Sequence, residues 1–238
     1  MQELNIWKST LATIIYVVVL EVLGMMILLD LLFPEAESVD SILLISFSLY
    51  CLGSLSMLIV VYFSLRKYIF PKSENAIATK KIDLTYLILA IVFGFIIVFI
   101  QPFIRSAFAV FPGFELQVQS AQKLAKLEVW HIPTLFSSII ILPLSEELFF
   151  RGFILKGLLK KHNVFLALLI SSLLFGAVHF AWYTMNIISL RLVFITFIGG
   201  LIAGGLFIKT NRLIYPILFH ITWNLIVNIS HFVAIPFL

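Results

Sequence analysis

Long apolar runs, each near the roughly 20 residues that a helix needs to cross a bilayer core of about 30 Å, recur along this chain. They fall at about 10–33, 41–64, 84–104, 131–155, 164–183, 187–208 and 213–230, and a short apolar tail follows to Leu238. Short polar connections separate them, and no tandem repeat or low-complexity stretch is evident. The pattern predicts an all-α fold: a polytopic transmembrane helical bundle of about seven spans, or eight if a re-entrant or interfacial helix is counted. The extra helix would come from residues 114–130, FELQVQSAQKLAKLEVW. There Leu116, Val118, Leu124 and Leu127 are set among polar positions, the signature of a helix lying in the membrane interface.

Composition supports this reading and narrows the function. The chain is 62% hydrophobic and only 12% charged, with a mean hydropathy of +1.13. A soluble domain carries about 25% charged residues. The net charge of +4 is no nucleic-acid signal, because the cations sit at helix ends and in connections. With the N-terminus in the cytosol, Lys8 and three Lys/Arg-rich stretches fall inside: 66–81, 151–161 and 209–212. That is the asymmetry of the positive-inside rule. The first apolar run is longer than a signal-peptide core and lacks a small-residue cleavage site, so it reads as a retained anchor. Cys51 is the single cysteine; it excludes a disulfide framework and reads as a small buried hydrophobe.

Against this background the ionisable residues inside apolar runs carry the information, since each costs about 2.5–3.5 kcal/mol to insert. Glu146 and Glu147 are adjacent in ILPLSEELFFRGFIL, with Arg151 close behind. On a helix, neighbours point about 100° apart, whereas residues four apart share a face. Glu147 is therefore expected to pair with Arg151, which leaves Glu146 on another face, free for a cavity and suited to act as a general base. His179 lies four residues after Phe175 on one face. His220 and Asn224 are also four apart, so two hydrogen-bond donors can be aimed at one point, as a developing oxyanion requires.

Other polar positions read more simply. Glu21 and Asp30 lie in the first run, Glu21 deep and without an evident partner. Arg105, Arg191, His162 and His231 are near helix ends, where snorkelling to the interface is expected. Asn228–Ser230 spells a glycosylation sequon by chance, and Gly199, Gly200, Gly204 and Gly205 suit close helix packing.

Three motifs in order carry a family resemblance: EELFFR at 146–151, FGAVH at 175–179 and HITWN at 220–224. They resemble the CAAX protease and bacteriocin-processing family, also called the Abi or CPBP family. The resemblance covers roughly residues 131–228; the first three runs carry no matching motif. It implies one integral membrane domain over 1–238, with a catalytic core at about 131–228 and the spans within 10–104 accessory. It further implies intramembrane peptide-bond hydrolysis: Glu146 and His179 activating a water, His220 and Asn224 holding the oxyanion, and Glu147, Arg151 and Phe175 supporting them.

No cofactor is expected on this reading. The alternative is a zinc enzyme using Glu146, His179 and His220, although the chain lacks HExxH and a zinc-bound His220 nitrogen could not donate to an oxyanion. The expected partners are the lipid bilayer and a membrane-associated peptide or protein substrate, in a bacterial cell membrane, with no nucleic acid. A prenylated CAAX protein, a bacteriocin leader and a signalling-peptide precursor all fit. A non-catalytic immunity or scaffold protein, or an ion-coupled transporter, would keep the same polar cluster for other ends.

Overall fold

The computed structural model describes residues 5–21, 39–69, 82–111, 131–180 and 187–230, and every described element is a helix. They are α1 (Ile6–Glu21), α2 (Val39–Ile69), α3 (Leu84–Phe108), α4, α5 (Val164–Ala177), α6 (Ile187–Thr210) and α7 (Ile214–Ser230). α4 covers residues 131–158. Its α-type turns at His131–Phe136, Leu142–Glu147 and Lys156–Leu158 alternate with π-type turns at Ser137–Ile141 and Leu148–Leu155. Each apolar run is thus the seat of a helix. Two stretches, Leu84–Phe108 and Ser189–Thr210, are long and apolar enough to cross a membrane. Cys51–Phe63, Val164–Ala177 and Ile214–Ser230 are apolar but shorter, so helix length alone supports two spans rather than seven. The amphipathic segment at 114–130, Asp30, His231 and the C-terminal tail lie outside the described residues, as does the Glu21 side chain.

Local chemistry sets the helix ends. Asp83 caps α3 by accepting from the Thr85 N–H at 2.9 Å, and Asn163 caps α5 by accepting from Leu166 at 2.9 Å, each satisfying an otherwise orphaned donor. The α6–α7 turn passes through Asn211 at φ 53°, a left-handed conformation that asparagine tolerates better than most residues. α3 shows how the bundle sorts its faces. Ala90, Gly94, Ile97, Val98 and Ile104 are buried, while Ile88, Val92, Phe95, Phe99 and Phe103 form an exposed apolar stripe at helical spacing. Such a stripe is costly against water and suited to lipid.

The most extensive pairings are α5 with α6 and α3 with α7. Both depend on glycines. A Cβ on Gly94 would sit 2.7 Å from the Thr222 side chain and one on Gly200 3.0 Å from Ser172; between α6 and α7, one on Gly199 would strike the Trp223 indole. Two apolar clusters result. One gathers Tyr16, Met57, Phe149, Phe150 and Phe175; the other gathers Ile97, Ala203, Tyr215, Phe219 and Trp223. The polar residues of the three motifs lie between them.

Extension of α4 brings Glu146 nearly level with His179, while His220 lies only about 9 Å into α7. With α4 running to Leu158, Glu146 is about 18 Å from that helix end and His179 about 22 Å from the start of α5, at 1.5 Å per residue. Had α4 ended at residue 155, the mismatch would have been roughly twice as large.

Candidate active site

α4 supplies the acids. The Leu142 N–H bonds to the Ser137 carbonyl five residues back, which is the π-type pattern. In that register the Ser138 carbonyl would receive residue 143, but Pro143 has no N–H. Asn224 of α7 takes the vacant acceptor, with its Nδ2 donating to the Ser138 oxygen at 2.9 Å. Asn228, one turn on, accepts from the Ser138 hydroxyl at 2.9 Å and donates to the Asn224 carbonyl at 2.8 Å. The presumed chance sequon is therefore a clamp between α4 and α7.

The two glutamates separate as helical geometry predicts. Glu147 is fully buried, and its Oε1 accepts from Arg151 Nη1 at 2.9 Å, with Arg151 only 1% exposed. The other end of the guanidinium, Nη2, donates to the Gly200 carbonyl at 3.2 Å. The guanidinium carbon lies 4.4 Å from the centroid of the Phe175 ring, a cation–π contact. Glu146 faces the cavity and is 13% exposed.

Their roles are less separate than the expected ion pair suggested. His220 bridges them, with Nδ1 3.0 Å from Glu147 Oε1 and Nε2 3.6 Å from Glu146 Oε2. A carboxylate shared with Arg151 can only accept, so His220 Nδ1 carries a proton towards Glu147. His179 follows α5, its Nδ1 2.9 Å from the Phe175 carbonyl. That oxygen also only accepts, so Nδ1 carries the hydrogen and Nε2 of the neutral ring presents a lone pair. The Phe175 ring meets both imidazoles edge-on, at 4.9 Å and 5.7 Å between centroids.

Glu146, His179, His220 and Asn224 line one cavity of about 440 Å³, within the usual ligand-pocket range of about 300–1,000 Å³. Ser138, Trp223 and Asn228 share the lining. Two contributors were not foreseen from the sequence. Tyr16 of α1 reaches the cavity with its ring stacked on Phe149 at 4.3 Å and its hydroxyl 3.5 Å from Ser145 Oγ. Its one signal in sequence was a phenol in the middle of an apolar run. Arg191 of α6 also lines the cavity, with Nε buried. Among the described residues, no group of three or more His, Cys, Asp or Glu side chains could hold a metal ion.

No curated protein and no solved structure matches the chain. A family model does match, described as type II CAAX prenyl endopeptidase Rce1-like, over residues 128–226. That segment holds α4 to α7 up to Ile226, and with them all three motifs. Over that segment the chain is similar to this family of membrane-embedded endopeptidases.

Proposed function

We propose that the protein is an intramembrane endopeptidase that hydrolyses a peptide bond of a membrane-associated substrate within this cavity. The observation that carries the reading is convergence: four residues from three helical regions, as far apart in sequence as Glu146 and Asn224, line one half-enclosed space. In the proposed step, Glu146 and the bare Nε2 of His179 take a proton from a water whose oxygen attacks the scissile carbonyl. The new C–O bond leaves a tetrahedral oxyanion. His220 donates to it from a protonated Nε2 while Nδ1–H stays on Glu147. Asn224 donates through its second amide hydrogen, the first being held by Ser138. The C–N bond then breaks, and the proton on Glu146 or His179 passes to the leaving amine. Glu147 and Arg151 hold His220 in place without touching the substrate.

This route uses no metal. It is supported by the hydrogen-bond donors that His220 and Asn224 bring to the cavity. The substrate class favoured by the family is a CAAX-type, lipid-anchored C-terminal segment. The charge distribution supports an orientation with the N-terminus in the cytosol.

Full-length protein in vesicles tests the reading. Glu146→Gln and His179→Ala should each lower the cleavage rate about 10²–10⁴-fold, the usual worth of general acid–base catalysis, and a chelator should leave the wild-type rate unchanged. Undiminished cleavage by either variant sinks the mechanism, and loss of activity on chelation restored by zinc replaces it with the metal route.

A further inference from the structure

Arg191 is the one feature of the cavity that the proposed chemistry does not use. It stands on α6 with Leu192, Ile195 and Thr196, and all four line the cavity. Its Nε is buried without a hydrogen-bond partner, and no ion pair engages its guanidinium among the described residues. The nearby cation Arg105, one turn beyond Gln101 on α3, repels it rather than neutralising it. The residue is half-buried, and a guanidinium nitrogen withdrawn from water without a partner is costly; ionisable groups lining cavities inside membrane proteins mark ligand sites.

We propose that Arg191 forms an anion subsite that binds the terminal carboxylate of the peptide held in the cavity. The proposal rests on the peptidase reading and adds a specificity-determining residue to it. The planar fork of an arginine matches a carboxylate in two parallel hydrogen bonds, which fixes direction as well as charge. Arg191 lines the cavity from α6 and Glu146 from α4, so a cation and an acid border the cavity on different helices, and a peptide whose terminal carboxylate pairs with Arg191 enters in one direction.

The experiment uses the full chain in phosphatidylcholine vesicles and two probe peptides that differ only at the C-terminus, one a free acid and one a carboxamide. The wild type should show a KM at least tenfold lower for the acid. Arg191→Gln should collapse that ratio to near one, chiefly through KM, and Arg191→Lys, which keeps the charge, should restore part of it. A wild type blind to the terminus, an R191Q variant as selective as the wild type, or an R191K variant no better than R191Q overturns the proposal. So does a response of KM to added phosphatidylglycerol that R191Q abolishes while the terminus is immaterial, because the anion is then a lipid phosphate. A binding arm separates this idea from the peptidase reading: anisotropy of the two labelled peptides on the Glu146→Gln variant. Selective binding of the acid there supports the subsite even if the wild type hydrolyses neither peptide. Hydrolysis without selectivity in either arm leaves the peptidase reading standing and removes the subsite.

Discussion

Two arginines lie among the helices of this bundle, and their surroundings are opposite. Arg151 is closed on every side: a carboxylate on Nη1, a backbone carbonyl on Nη2 and an aromatic face at 4.4 Å. Arg191 borders the cavity with Nε buried and unpartnered. Arg151 is wholly buried and Arg191 half-buried. The protein satisfies the first internally and leaves the Nε of the second open to a ligand. The difference teaches how to sort charged residues in such a fold. A fully satisfied charge holds structure together, whereas an unsatisfied one beside a cavity implies a ligand.

Breaking the closed arginine should give the largest effect. Arg151→Leu strands Glu147 and takes a partner from the oxygen that orients His220, so stability should fall by about 3–5 kcal/mol, the cost of unpairing a buried ion pair. Thermal unfolding in detergent measures it. Arg191→Gln, by contrast, should stay within about 0.5 kcal/mol, and equal losses at the two sites would erase the distinction. The double variant Glu147→Gln with Arg151→Leu should recover much of the single loss, because no lone charge remains.

Asn224→Ala comes next. It removes an oxyanion donor, which is worth about 10²–10³ in rate, and it leaves the Ser138 carbonyl unpaired. Turnover and unfolding measured together separate the two losses, and an unchanged turnover number would take Asn224 out of the chemistry. The smallest effect is expected from Tyr16→Phe. It keeps the ring stacked on Phe149 and removes one long hydrogen bond, so stability should change by no more than about 0.5–1.5 kcal/mol. A larger loss would mean that α1 belongs to the closed network.

How much of this was legible beforehand depends on the range of each interaction. The Glu147–Arg151 pair and the divergence of Glu146 follow from spacing on one helix, and both are present. The contact of His220 with Glu147 spans 73 residues, and no local pattern encodes it. The π-type turns of α4 were equally hidden, although Pro143 was a clue that some carbonyl before it would need a partner. Tyr16 was missed because a phenol in an apolar run looks the same whether it meets lipid or a cavity. The place of Arg191 at the cavity was missed because position along a helix says where a side chain starts and not where it ends.

The proline in α4 has a consequence beyond satisfying one carbonyl. A side-chain amide can ordinarily turn over and exchange its oxygen for its nitrogen at little cost. Asn224 cannot, because turning would set two acceptors against each other at the Ser138 oxygen, now 2.9 Å from its nitrogen. The missing N–H of Pro143 thereby fixes the polarity of a group on another helix: Asn224 is kept as a donor before any substrate arrives. A residue with an N–H in place of that proline would compete with Asn224 for the Ser138 oxygen without itself lining the cavity.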